Sequence, residues 1–209
     1  YLERDLCVLI ACTEEHVLSW YLARSETAAA WSALLRTMAP PEVVVTDGGS
    51  GFASAVKREW PGTRVQRCTF HAFSQVKRYT TARPKLQAGQ ELYQLSKDLL
   101  HIGSLHQADL WVERLMQWCD FWGDFLNEKT RVEGGWEWTH DRLRKARRSL
   151  VKLVNDGTLF TYLDPELTVE GPLPSMNNVI EGGVNARLRD VLRNHRGLKI
   201  DHRIKAVYW

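Results

Sequence analysis

Three consecutive valines, Val43-Val44-Val45, run straight into Thr46-Asp47-Gly48-Gly49, and this junction constrains the fold more than any other feature of the 209-residue chain. Pro40-Pro41 ends whatever precedes it, and the valines favour a short, fully apolar strand. The segment from Phe52 to Trp60 reads as a helix stopped by Pro61-Gly62, and Arg64 to Cys68 reads as a further strand. A strand, helix, strand order of this kind points to parallel strands joined through a helix. In such sheets ligands gather at the carboxyl ends of strands, which is where Asp47 stands.

Upstream, the apolar run from Leu6 to Cys12 and the segment from Val17 to Ala23 read as two strands, so residues 1–24 resemble a β-meander. Ser25 can cap a helix over Glu26 to Met38. Both kinds of strand are expected in one sheet, giving an α/β or α+β layer. From about residue 86 to 154 the period becomes helical. Leu92, Leu95, Leu99 and Ile102 form one stripe, and Leu105, Ala108, Val112, Leu115, Cys119, Trp122 and Leu126 form a second. Leu143, Ala146, Leu150 and Leu153 complete a set that predicts three packed helices, with Gly134-Gly135 and Gly157 as breaks. A last helix is expected from Ser175 or Asn177 through Glu181 to about Arg193.

Composition, with 44% hydrophobic and 25% charged residues, is that of a soluble globular protein. No apolar run approaches the roughly 20 residues needed to span a bilayer and no secretory signal opens the chain, so a cytoplasmic protein without membrane contact is expected. The four cysteines are too scattered for a disulfide framework and are expected to be reduced. A net charge of +3 argues only weakly for a polyanionic partner. Its distribution argues more strongly. Arg142, Arg144, Lys145, Arg147, Arg148 and Lys152 surround the buried stripe of Leu143, Ala146 and Leu150, with the basic residues expected to point outward. Arg187, Arg189, Arg193, His195, Arg196 and Lys199 form a second cluster. Each is either a phosphate-contacting surface or a solvated helix face.

Three features could carry chemistry, and each has a plain structural alternative. Asp47 could project a carboxylate from a strand end or cap the following helix. Glu181 falls at helical spacing with Asn178, Asn185 and Arg189, a stripe that is either functional or merely solvated. The adjacent Gly182 and Gly183 are costly in a helix, by about 1 kcal/mol each, and would permit close approach of the sheet or of a bound backbone. Cys68 and His71 have C-x-x-H spacing where a strand passes into a helix. They could belong to a zinc site lacking a second Cys/His pair, pack as a buried cysteine with a bonded histidine, or turn His71 toward the carboxylate site. Of the tryptophans, Trp111, Trp118 and Trp122 fit a core, whereas Trp136 or Trp138, beside the glycines, could stack on an unpaired base.

Taken together, an apolar strand ending in Thr-Asp-Gly-Gly, then Pro-Gly, then Gln66-Arg67-Cys68-x-x-His71, a helical insertion and Asn177-Asn178-x-x-Glu181-x-x-x-Asn185 resembles the transposases of mutator-like bacterial insertion sequences. The resemblance covers essentially the whole chain. It implies a ribonuclease H-like mixed sheet with flanking helices and an all-helical insertion: a first core part over residues 1–85, the insertion over 86–155, and a closing core part over 156–209. It implies a DDE-type enzyme of the bacterial cytoplasm, associated with the nucleoid, in which Asp47 matches the second Asp and Glu181 the Glu of the triad. Two Mg²⁺ or Mn²⁺ ions would be the cofactors, because in-line attack on a phosphodiester is served by a pair of hard cations held by carboxylates. His71 would join Asp47 and Glu181 in the catalytic site, Cys68 and His71 would match the family's C-x-x-H element, and Asn178 and Asn185 would flank the Glu on the DNA side. Double-stranded DNA is the implied partner, bound by a homo-oligomer. The family's first Asp would lie upstream of Tyr1, so this chain alone is expected to bind metal poorly and cut nothing. The alternatives are a non-catalytic DNA-binding remnant of a transposase and a ribonuclease H-like nuclease.

Overall fold

The computed structural model describes the chain except residues 1–5, 14, 178, 195, 196, 198 and 209; for residues 179–181, 185, 200 and 206–208 it describes the backbone alone. The chain forms two compact units, one of residues 1–44, 48–63 and 177–209, the other of residues 45–47 and 64–176.

In the first unit, β1 (Cys7–Cys12) pairs antiparallel with β2 (Val17–Ala23), as the two apolar runs predict. Helix α1 (Ala28–Leu35) is shorter than the expected span of residues 26–38 and is capped by Thr27 rather than Ser25. The Thr27 hydroxyl accepts from the Ala30 amide at 3.2 Å, and the Thr37 hydroxyl closes the other end by donating to the Leu34 carbonyl at 2.7 Å. Cys7, Leu9, Ala23 and Leu34 form its buried core. Helix α2 (Ser50–Glu59) packs against α1, with the Trp31 and Phe52 rings edge to face at 4.9 Å. A Cβ at Gly51 would lie 2.3 Å from the Glu26 carbonyl oxygen, so only glycine allows this contact.

One ion cluster also joins α1 and α2. The Glu59 carboxylate accepts from Arg36 Nε at 2.8 Å and from Arg58 Nε at 2.7 Å. These bonds, that from Arg36 foremost, hold Glu59 at a pKa of about 2, below its ordinary 4.5. A depressed carboxylate pKa stabilises the fold at pH above the unfolded value and loses that contribution as pH falls toward the folded one. Wild type is therefore expected to be more stable than Glu59→Gln at neutral pH, with the gap in denaturation midpoint narrowing from about pH 4.5 and closing near pH 2. A gap that does not change with pH would contradict this.

In the second unit, β3 (Val43–Thr46), which enters from the first, pairs with β4 (Arg64–Arg67), as the valine run and the segment after Pro61-Gly62 predict. The expected single mixed sheet is not what the described residues form. Their strands make three separate two-stranded sheets, β1-β2, β3-β4 and β5-β6. Beside β4 runs a non-strand segment instead: the Arg67 amide donates to the Thr158 carbonyl at 2.7 Å and the Thr161 hydroxyl to the Val65 carbonyl at 2.8 Å.

Helices α3 (Thr69–Thr80), α4 (Gln87–Asp98), α5 (Leu105–Phe121), the short α6 (Gly123–Leu126) and α7 (Asp141–Asn155) enclose one apolar core centred on Val76, Leu92, Leu115, Ala146 and Leu150. On α5 the buried line is Ala108, Trp111, Leu115 and Trp118, about one position from the predicted stripe, and Leu105 is 46% exposed. The indoles decide the rotation: they carry the largest apolar area, and Trp111 Nε1 satisfies its donor on the Leu95 carbonyl at 2.8 Å.

The segment from residue 86 to 155 is not all-helical. Lys129–Val132 (β5) and Gly135–Trp138 (β6) form an antiparallel hairpin that turns through Glu133 and Gly134, with Gly134 at φ 94° and Gly135, the first residue of β6, at 156°. The break expected at Gly134-Gly135 is present, but the elements it separates are two strands, and the Thr, Val and Trp residues around it are good strand formers. In the first unit, Val179–Val184 is a π-helix that continues into α8 (Asn185–Asn194), followed by α9 (Ile200–Tyr208). No helix among the described residues is long and apolar enough to cross a membrane.

Candidate active site

Asp47 follows the last residue of β3 and is exposed. Gly48 turns the chain away at φ 86°, a backbone conformation that favours glycine, and the residue at the N-cap of α2 is Gly49. The strand thus ends in a carboxylate two residues before the helix cap. Within the second unit, backbone hydrogen bonds fix this strand end to the Cys-x-x-His element. The Cys68 amide donates to the Thr46 carbonyl at 2.8 Å, and Cys68, fully buried, is the N-cap of α3. His71 lies in the first turn of that helix, half-buried, with its ring edge to face on Phe70. The Thr69 amide donates to the Ser175 carbonyl at 3.0 Å, so the segment leading toward Glu181 begins beside α3.

Two residues of this region carry no role in the sequence reading. Arg67 is only 9% exposed, and its Nη1 lies 3.5 Å from the Thr46 carbonyl. Burial pushes its guanidinium below the ordinary value, and the Asp47 carboxylate opposes that shift. Arg67 therefore adds positive charge beside the strand end. Gln66 is wholly buried: its Nε2 donates to the Arg67 and Leu159 carbonyls at 2.6 and 3.0 Å, and its Oε1 accepts from the Tyr162 amide at 3.0 Å. The signal in the sequence is a Gln-Arg pair between the apolar Val65 and Cys68, at the buried end of a strand whose first residue, Arg64, is exposed.

Glu181 belongs to the first unit, on the π-helix. Its side chain and that of Asn185 lie outside what the structure describes, as do Asn178, His195 and Arg196 altogether. The expected stripe of 178, 181, 185 and 189 rests on side chains outside the described residues, but the backbone over Val179–Val184 is a π-helix where an α-helix is expected. Two adjacent glycines weaken the α ladder, and the wider turn changes the spacing. A Cβ at Gly182 or Gly183 would meet nothing within 4 Å, so the described residues show no close approach there. Arg187 and Arg189 are exposed on α8.

On α7 the buried stripe is as expected, but two of the basic residues do not simply point outward. Arg142 donates to the Tyr79 and Arg78 carbonyls at 2.9 and 2.7 Å, and Arg144 to the Leu126 carbonyl at 2.8 Å while lying 3.6 Å over the Trp138 ring. Carbonyls left over at the ends of α3 and α6 attract these guanidinium groups. Lys145 pairs with Asp141 at 2.6 Å. Arg147 is half-buried and Arg148 exposed.

Among the described residues no three His, Cys, Asp or Glu side chains gather as a metal-binding group. Asp47 offers the hard oxygen that Mg²⁺ or Mn²⁺ takes, while Cys68, fully buried at the helix cap, is a poor candidate for such an ion.

No curated protein sequence matches the chain. The family model described as Transposase, Mutator family matches residues 7–137, well over half of the 209 residues, and this span includes Asp47, Cys68 and His71. With that match, the chain belongs to the Mutator family of transposases.

Proposed function

We propose that this chain is the catalytic core of a DDE-type DNA transposase with a ribonuclease H-like fold, into which the segment from α4 to α7 is inserted. The observation that carries the reading is the joining of the Asp47 strand end to Cys68 and His71 through the Cys68–Thr46 hydrogen bond, within the span that matches the family. Covalent connectivity supports Glu181 as a partner: it lies six residues beyond Ser175, about 20 Å of fully extended chain at most, and Ser175 is bonded to the start of α3.

Asp47 and Glu181 would hold the divalent cations, and the third carboxylate of the triad would lie upstream of Tyr1. Such a pair of cations, when bound, activates the attacking oxygen and stabilises the leaving one. Around it, Arg67 offsets the negative charge of Asp47. His71, in the first turn of α3, would orient a ligand or move a proton there. Arg147, Arg148, Arg187 and Arg189 supply salt-sensitive contact with the phosphates of double-stranded DNA, and the protein works as a homo-oligomer on the element ends.

The geometric test is a crystal structure of the protein with its upstream segment, grown with Mn²⁺. Anomalous scattering is expected within ligand distance, about 2.2 Å, of carboxylate oxygens of both Asp47 and Glu181. Mn²⁺ held by only one of the two carboxylates, or by neither, would end the assignment.

A further inference from the structure

The β5-β6 hairpin stands outside the apolar core of its unit, since all eight of its strand residues are exposed. An isolated two-stranded hairpin is marginal in water, yet this one is braced at its base. The Thr139 amide donates to the Glu128 carbonyl at 3.1 Å, the Thr130 and Thr139 hydroxyls share a hydrogen bond of 2.8 Å, and His140 stacks on Phe125 with ring centres 3.8 Å apart. Bracing positions a surface here rather than filling a core.

The register shows what that surface is. Lys129 is opposite Trp138 and Arg131 is opposite Trp136, while Thr130 is opposite Glu137. Because side chains alternate, the two basic-aromatic pairs share one face and Glu137 belongs to the other. Lys129 Nζ lies 4.5 Å and the Arg144 guanidinium 3.6 Å from the Trp138 ring centre, so two cations already contact Trp138. Trp136, nearer the turn, is 66% exposed. An indole open to solvent on a braced hairpin, with Arg131 opposite it and Lys129 on the same face, matches an unpaired nucleobase lying flat on a ring while its phosphates meet the cations.

We infer that the Lys129, Arg131, Trp136, Trp138 face of the hairpin binds single-stranded DNA by stacking an unpaired base on Trp136. Recognition is sequence-tolerant, because every base offers a flat face. The site adds to the transposase reading without using Asp47 or Glu181, so either can fail without the other.

The test measures fluorescence anisotropy of a labelled oligothymidine of about 12 nucleotides, and of a duplex of equal length, with the chain as it stands. Trp136→Ala is expected to weaken single-strand binding about tenfold and to change duplex binding less than about twofold, while Trp136→Phe keeps most of the single-strand affinity. Retained duplex binding also shows that the variant is folded. Equal binding of oligothymidine by wild type and Trp136→Ala, no binding by wild type, or equal losses on single strand and duplex would each overturn the proposal.

Discussion

Glu181→Gln, made in the protein that carries its upstream segment, is expected to abolish cutting and joining of DNA bearing the element's ends, by a thousandfold or more, while DNA binding stays within about twofold. Glutamine keeps the length and hydrogen-bonding shape of the side chain but removes the charge that would balance a divalent cation. Asp47→Asn should act in the same way, because that position offers its carboxylate from the end of β3. The converse change is neutralising Arg147 and Arg148, which the structure leaves without the backbone carbonyl partners of Arg142 and Arg144. It should weaken DNA binding and flatten its salt dependence without altering metal affinity. Gel-shift and strand-transfer assays on the same preparations separate the two effects. Full strand transfer by Glu181→Gln would remove Glu181 from the active site and most of the mechanism with it.

What was legible in the sequence follows the strength of each local signal. Val17 to Ala23 is bounded by polar residues, and the strand β2 has those limits. The Val43-Val44-Val45 run gave β3, and Pro61-Gly62 correctly set off β4, because prolines and glycines decide boundaries with little help from tertiary contacts. Tertiary choices were harder. The rotation of α5 depends on Trp111 reaching the Leu95 carbonyl, a partner 16 residues away that no helical periodicity reveals. Arg142 and Arg144 looked like free surface charge because their acceptors, the carbonyls of Tyr79 and Leu126, lie on other helices. The hairpin was hidden by its shortness, four residues a strand, between two long helical stripes. At the site, Asp47, Cys68 and His71 were found by motif, whereas Gln66 and Arg67 acquire meaning only through contacts with Leu159, Tyr162 and Thr46.

Gln66 is therefore where the fold should prove most sensitive to a single polar change. Gln66→Leu is expected to destabilise the chain by about 2–5 kcal/mol, read as a lower urea midpoint with little change in slope. The side chain is fully buried, and leucine fills much of the space but offers neither donor nor acceptor. The Tyr162 amide and the Leu159 carbonyl would be left without their partner at about 1–3 kcal/mol each, a cost that burial makes hard to recover with water. Gln66→Glu should be at least as damaging, since it exchanges the donating amide for a second acceptor facing the Leu159 carbonyl. The effect should also reach the site. Gln66 ties residues 159 and 162 to β4, and β4 ends at Arg67 and leads directly into Cys68, whose amide holds the Thr46 carbonyl next to Asp47. Either variant matching the wild-type urea midpoint would mean that the Thr158 and Thr161 hydrogen bonds alone fix that segment. The buried amide would then have no part in holding the Asp47 strand end.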